Sequence, residues 1–277
     1  KSITLVFNSD DPGVAHLGKS ALGKIMYFGV NDKTKFLQTA EHATDSTFCP
    51  NCGNRLTYDG VYYSHIGIWN CTKCGLKRPN PDVHTYPSVL PGLYNQYNTL
   101  AAVAVAGVLG IPKRVIQTSL ASFGPAFGRQ EELVISGKKV KLFLSKNPVG
   151  FNASLRTVLE MGAKDILFVL NDRIPDGRDV SWIWDVDFEM LPADITLAVS
   201  GDRVWDMALR LKYSRRYHKF SKGAVSEQET PIRTYEHLET ALKFFAESSD
   251  ISRPLYVLAT YSGMLEVRKI LTGRAIL

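Results

Sequence analysis

Four cysteines fall into two C-x-x-C-G strings, Cys49-Pro50-Asn51-Cys52-Gly53 and Cys71-Thr72-Lys73-Cys74-Gly75, with 18 residues between them. Two residues between thiols let both sulfurs of one knuckle face a single ion. The following glycine permits the turn that aims backbone N–H groups at sulfur. Two such knuckles complete a tetrahedral thiolate site for Zn2+ and leave no coordination position open, so the expected role is structural, not catalytic. Two disulfides or buried free thiols are the alternatives. The absence of a secretory leader at the first residues, with every cysteine inside the pattern, favours zinc.

A second string, Gly13-Val14-Ala15-His16-Leu17-Gly18-Lys19-Ser20, satisfies the G-x-x-x-x-G-K-S phosphate-loop pattern. Its setting argues against that use. Asp10 and Asp11 precede it, and Pro12 suits a first helical position, which puts Gly18 to Ser20 within a helix and not at a strand-to-helix turn. A solvated lysine on a short amphipathic helix is the simpler expectation. A basic run, Arg210, Lys212, Arg215, Arg216 and Lys219, is interleaved with Tyr213, Tyr217 and Phe220. It could meet a pyrophosphate, an acidic membrane surface or a partner, but its i, i+4 spacing equally suits a solvated helix face, and no site is assigned to it.

The hydrophobic pattern supplies the elements that must position these residues. Ser2 to Phe7 reads as a strand ended by Asn8-Ser9-Asp10-Asp11-Pro12, with Asp11 capping a helix that Pro12 opens. Val14, Leu17, Ala21 and Leu22 would share one helical face before a second strand at 25–30. Tyr58, Tyr62, Tyr63, His65 and Trp69 fit a hairpin between the knuckles. From Tyr94 to Phe123 the pattern is helical, with Ala101, Val105, Val108 and Leu109 as core positions. Phe123 to Gly128 carries the Gly/Pro punctuation of a link, so a boundary is expected near 124. Beyond it, 133–135 and 140–144 flank Ser136-Gly137-Lys138-Lys139 as a hairpin. Strands at 166–170, 195–199 and 255–259 then alternate with helices near 152–162, 203–213, 234–248 and 262–271. Such alternation predicts an α/β fold with a largely parallel sheet covered on both faces.

Composition narrows the class. The 277 residues are 45% hydrophobic and 22% charged, which excludes a disordered or collagenous chain. The longest apolar run, Leu100 to Ile111, is too short to cross a bilayer and reads as a buried helix. The net charge of +6 is diluted, with 11 Lys+Arg against 7 Asp+Glu up to Gly124 and 22 against 20 beyond. A dedicated nucleic-acid binder would concentrate that charge in a stripe or tail.

Three strings together resemble the Mur ligase family: Asn8-Ser9-Asp10-Asp11-Pro12, Tyr94-Asn95-Gln96-Tyr97-Asn98-Thr99-Leu100-Ala101-Ala102 and Gly128-Arg129-Gln130-Glu131. They match the second half of its ATP-binding central domain and the hinge that follows. The cysteine insertion, with Ser145-Lys146-Asn147-Pro148-Val149-Gly150-Phe151-Asn152 and the stretch from Asp176 to Glu189 (DGRDVSWIWDVDFE), narrows the resemblance to the MurT-type synthetase subunits. It covers essentially the whole chain. The resemblance implies that 1–124 is the C-terminal part of a Mur ligase central domain with a four-cysteine zinc ribbon inserted at about 47–79, and that 125–277 is a Rossmann-like Mur ligase C-terminal-type domain. It implies that Asn95 and Asn98 read adenine, chemistry suited to an amide that is both donor and acceptor. Capping the helix they open is their other use. Arg129 matches a hinge arginine that reaches the nucleotide, and a surface ion pair with Glu131 or Glu132 is the alternative. The family's phosphate loop and Mg2+ site fall before Lys1, which enters a strand without an initiator Met. Phe143 stands where most Mur ligases carry a ribose-facing Asp.

The reaction so implied is ATP-dependent amidation of the D-glutamate α-carboxylate in the lipid II stem peptide, at the cytoplasmic face of the membrane. A GatD-like class I glutamine amidotransferase subunit would supply ammonia, which must arrive neutral at an acyl phosphate. Asp185 is the candidate carboxylate for deprotonating ammonium, since its aromatic and aliphatic neighbours could desolvate it. Asp187 has the same parity if the segment is extended, and a structural role for both is the third reading. No nucleic acid is expected, although a zinc-ribbon nucleic-acid module fused to a Rossmann-like domain is the competing hypothesis from another class.

Overall fold

Prolines and capping carboxylates set the first elements. The computed structural model describes residues 3–39, 41–125, 127–221, 231–248 and 250–274, without the side chains of 215–221 and 248. The chain divides into two units, Lys1–Gly124 and Pro125–Leu277.

In the first unit β1 (Thr4–Asn8) pairs in parallel with β2 (Lys24–Phe28). Between them Asp11 Oδ1 accepts the Gly13 and Val14 amides at 2.8 and 3.0 Å and so caps α1 (Pro12–Leu17). The helix stops at Leu17 and tightens into a 3-10 turn over Gly18–Ser20, so the expected four-residue apolar face does not form and Leu17 and Leu22 are exposed. The string matching the phosphate-loop pattern is thus helix and turn, not a loop between strand and helix. The knuckles flank an antiparallel hairpin, β3 (Thr57–Tyr63) and β4 (Ile66–Asn70).

The helical stretch expected from 94 to 123 forms two helices, α2 (Leu93–Val108) and α3 (Lys113–Ala121). Gly110, at φ +73°, and Pro112, which has no N–H to continue the ladder, separate them. The inward face of α2 is Tyr97, Leu100 and Ala104. Val105, Val108 and Leu109, read as core from the sequence, are exposed, and Ala101 is half-buried. Asn95 and Asn98 mark the outward side, and Val105 and Leu109 continue the Asn98 face at helical spacing, but the apolar run beyond Leu100 hid that phase.

The second unit is a six-stranded sheet of order β5-β6-β10-β7-β8-β9. Its strands are β5 (Arg129–Ile135), β6 (Lys138–Leu144), β7 (Asp165–Val169), β8 (Thr196–Ser200), β9 (Arg233–Thr234) and β10 (Leu255–Ala259). β5 and β6 form the hairpin, and all other pairs are parallel. Alternate residues serve opposite cores. Ile166, Phe168, Tyr256 and Leu258 pack with α4 (Pro148–Glu160) and α5 (Val204–Ser221), whereas Leu167, Val169, Val257 and Ala259 pack with α6 (Leu238–Ser248) and α7 (Tyr261–Thr272). Burial on both faces is what makes these strands read as continuous apolar runs. Lys138, expected in the hairpin turn, is instead the first residue of β6, fully buried and paired with Asp165 at 2.9 Å.

Candidate functional site

The four cysteine sulfurs lie within 4.8 Å of one another, with Cys49 to Cys74 and Cys52 to Cys71 each at 3.6 Å. A Zn–S bond of about 2.3 Å in tetrahedral geometry puts sulfurs about 3.8 Å apart, so the cluster fits that ion. Both knuckles fold alike. The Cys49 amide donates to Asn54 O and the Gly53 amide to Cys49 O; Cys71 to Leu76 O and Gly75 to Cys71 O repeat the pattern. Gly53 and Gly75 sit at φ +70° and +73°, where a side chain would be strained. The thiols titrate unevenly. Cys74 falls to about 6, first through the Leu76 amide, and Cys71 is lowered, first through the Cys74 amide. Cys52, despite the Asn54 amide, is raised to about 11 by desolvation and by the other three thiols. A bound cation holds all such sulfurs as thiolates. Among the described residues this is the one His/Cys/Asp/Glu cluster compact enough for a metal ion.

The ribbon is built into the unit. On β4, Trp69 turns toward the knuckles with Leu56 and Ala15, while Ile66 and Ile68 turn toward Tyr97 and Leu100 of α2. Trp69 Nε1 donates to Ser9 O at 3.1 Å, and Tyr62 Oη to Val30 O at 2.6 Å. Asp10, fully buried, accepts from Arg78 Nε (2.6 Å), Tyr97 Oη (2.6 Å), the Val30 amide (2.8 Å) and Ser9 Oγ (2.7 Å). Desolvation, then the Asp10 charge, raises the Tyr97 hydroxyl well above its ordinary value and keeps it a donor. The sequence does not mark Asp10, Arg78 and Tyr97 as partners, since residues 68 and 87 positions apart carry no sign of contact.

Asn95 and Asn98 lie on the outward side of the first turns of α2, Asn98 Nδ2 donating to Asn95 Oδ1 at 3.4 Å. Asn95 Nδ2 also reaches back to Pro91 O at 2.7 Å, but the cap itself is Gly92, so capping does not account for Asn98. In the second unit Arg129 opens β5 with its side chain exposed. The carboxylates offered as its surface partners are engaged elsewhere, Glu131 with Arg268 and Glu132 with Lys141. Phe143 is buried in the sheet core and cannot face a ribose.

The loop after β7 leaves the C-terminal edge of the sheet, where doubly wound folds place ligands. Its root is fixed by the Asn171 amide to Thr260 Oγ1 (3.0 Å) and the Ser262 amide to Asp176 Oδ1 (2.8 Å). Ser181–Asp185 is a 3-10 turn, so the condition of an extended segment is not met and parity does not relate Asp185 to Asp187. Asp185 is exposed, which removes the expected desolvation. Among the described residues no hydrogen bond or ion pair engages its carboxylate. Asp187 is half-buried and committed: its Oδ2 accepts from Asn152 Nδ2 at 2.9 Å while its amide donates to Asn152 Oδ1 at 2.8 Å.

One guanidinium holds this loop. Arg210, 4% exposed, donates to Ile183 O, to Val186 O and, through two nitrogens, to Glu189, and lies 5.6 and 5.3 Å from the ring centres of Trp184 and Phe188. It is therefore no part of a solvated face. Arg215, Arg216 and Lys219 lie outside the described side chains. The sequence did hold a signal, since Arg210 falls three residues after Met207 on the stripe that Leu211 and Ser214 continue inward. A cleft of about 600 Å³ lined by Arg173, Asp202, Trp205, His237, Glu266 and Lys269 also opens in this unit, and Asp185 is not among its walls.

The MurT ligase C-terminal family model matches residues 144–264. The chain is 33% identical over 295 aligned residues to the lipid II isoglutaminyl synthase (glutamine-hydrolyzing) subunit MurT of Streptococcus pneumoniae, covering 99% of this chain and 63% of that protein. It is 35% identical over 233 residues to the Staphylococcus aureus protein of that name, covering 76% and 52%. Among solved structures it resembles a pseudomurein peptide ligase type C from Methanothermus fervidus, with a TM-score of 0.66 at 21% identity over 98% of this chain and 56% of that one. The last likeness shows the Mur ligase fold.

Proposed function

The chain belongs to the MurT family, spans 52 to 63% of the length of the two MurT relatives named above, and from that premise we propose that it serves the ATP-dependent amidation of lipid II. The observation that carries this reading is one alignment through both units to a subunit named for that synthase. In the proposed reaction ATP turns the D-glutamate α-carboxylate into an acyl phosphate. Ammonia released from glutamine by a GatD-like amidotransferase subunit then displaces phosphate, at the cytoplasmic face of the membrane. Among the described residues no helix is long and apolar enough to cross a bilayer.

The residues take the following parts. Asn95 and Asn98 offer paired amides to adenine, and Arg129, with its guanidinium exposed, meets the nucleotide. Mg2+ accompanies the phosphates. Cys49, Cys52, Cys71 and Cys74 would hold Zn2+ as a closed structural centre. Asp185 takes the proton from ammonium: its carboxylate has no partner among the described residues, whereas Asp187 is occupied by Asn152. The nucleic-acid reading is the weaker, because the aromatic rings of Tyr62, Trp69 and Tyr97 are buried within the unit and present no faces for bases to stack on.

The deciding experiment is Asp185→Asn in the complete complex. Asn keeps the shape but cannot accept a proton at neutral pH, so amidation should fall by about 10² to 10⁴ with nucleotide affinity, zinc content and melting temperature retained. Added ammonia should not rescue it, because the defect lies in using ammonia. Near-normal amidation would reject the assignment and pass the test to Asp187.

A further inference from the structure

The ribbon stands apart from the chemistry just described, yet it is the floor of the helix that presents Asn95 and Asn98. A chain of contacts joins them. The Arg78 amide donates to Trp69 O at 3.0 Å, which ties the residues after the second knuckle to the hairpin. The Arg78 guanidinium then reaches inward to Asp10 Oδ1 (2.6 Å) and Val30 O (3.0 Å). On its other oxygen Asp10 receives Tyr97 Oη, and the Tyr97 ring stands edge-on to Tyr63 of the hairpin with centroids 5.5 Å apart. Tyr97 sits on the turn between the two asparagines and faces the opposite way from them.

We propose that Asp10 is a positioning residue for the nucleotide site, tying Arg78 at the exit of the metal ribbon to Tyr97 on the turn of α2 that presents Asn95 and Asn98, so that the ribbon sets nucleotide affinity. The proposal rests on the adenine reading of those asparagines. Its physical basis is the cost of leaving a buried partner unpaired. If the ribbon loses its metal, Arg78 is no longer held against Asp10, and a buried carboxylate without its cation cannot keep the same donors. The cap of α2 is a glycine, which supplies no side-chain hydrogen bond of its own, so the Tyr97 Oη bond is the one that ties this end of the helix to Asp10.

Tyr97→Phe removes one hydroxyl and keeps the ring, so it tests the link without opening a cavity. In the complete complex it should raise the KM for ATP about five- to tenfold, the size of one lost buried hydrogen bond, with kcat and zinc stoichiometry unchanged. Asn98→Ala, measured alongside, should raise the same KM. A third arm uses no turnover: stripping the metal with a chelator should speed amide hydrogen exchange at 93–100 while leaving 165–169 of the second unit protected. If Asn98→Ala raises KM and Tyr97→Phe does not, the proposal falls and the adenine reading stands. If Asn98→Ala changes nothing, the adenine reading falls and takes the proposal with it. Unchanged exchange at 93–100 after metal loss would overturn the coupling by itself.

Discussion

The cysteine centre and the Asp185 loop are assembled by opposite means. The centre draws all four ligands from 26 consecutive residues, and each knuckle closes on its own backbone through a left-handed glycine. The loop draws its support from elsewhere: Asn152 on α4 fixes Asp187, and Arg210 on α5 gathers Ile183, Val186 and Glu189. The first is local chemistry, closed by its own backbone and shaped for a metal ion. The second is a shape imposed on 3-10 turns by two helices that belong to a finished domain.

Removing the metal should have the largest effect and break the comparison most directly. Structural zinc in isolated finger peptides is worth about 10 to 16 kcal/mol, so metal loss should abolish the ribbon's near-ultraviolet signal from Trp69 and lower the melting of the first unit, while the strands of the second keep their exchange protection. Metal analysis should return one zinc per chain. A metal-free protein with undiminished stability would show that the four thiols are merely neighbours.

Arg210→Lys should come next. The lysine keeps the charge but loses the fork that reaches two carbonyls and a carboxylate together. Stability should fall by about 2 to 4 kcal/mol in denaturant unfolding, and amidation by at least about tenfold, with the KM for ATP unmoved. If amidation survives that loss of stability, the loop does not have to be held for catalysis. Asn152→Ala is milder. It removes the reciprocal pair with Asp187 and should cost about 1 to 3 kcal/mol, with a smaller loss of rate than Arg210→Lys because the Asp185 turn keeps its guanidinium.

The smallest effect is one of pH, on the local side of the comparison. Burial raises the Asp11 carboxyl, but the hydrogen bond with His65 and the Val14 and Gly13 amides outweigh it and hold it below the ordinary 3.8. A lowered carboxylate contributes stability that is fully present above 3.8 and is lost as pH falls through the depressed value. Asp11→Asn removes that contribution, so stability at neutral pH should fall slightly while stability at the acid end is nearly unchanged, which flattens the acid limb below about pH 4, as read by unfolding across pH. An unaltered acid limb would mean that the cap and the His65 contact add nothing at low pH.

Much of the fold was legible because it follows from periodicity and punctuation. The strand runs of the second unit, the hairpin between the knuckles and the capped start of α1 all appear near where alternation, prolines and capping carboxylates put them. The misreadings arise where local pattern underdetermines packing. In α2 the apolar run beyond Leu100 hid the face that Asn95 and Asn98 mark; the conformation of the stretch from Trp182 to Glu189 was left open, because its turns are held by Arg210 donating to the Ile183 and Val186 carbonyls from a distant helix.

What the sequence determined by itself is whatever neighbouring residues can enforce: the four-thiol centre, the order of strands and helices, and the family resemblance carried by contiguous strings. What only the tertiary structure decided is which charges are spent inside. Arg210 looked like surface and is an anchor, Asp10 looked like a turn residue and is the hub of four donors, and Asp185 is left exposed while Asp187 is engaged. A side chain's partner in a folded chain is set by which elements pack together, and the free energy of burying a charge depends on that partner and not on the residues beside it in the sequence.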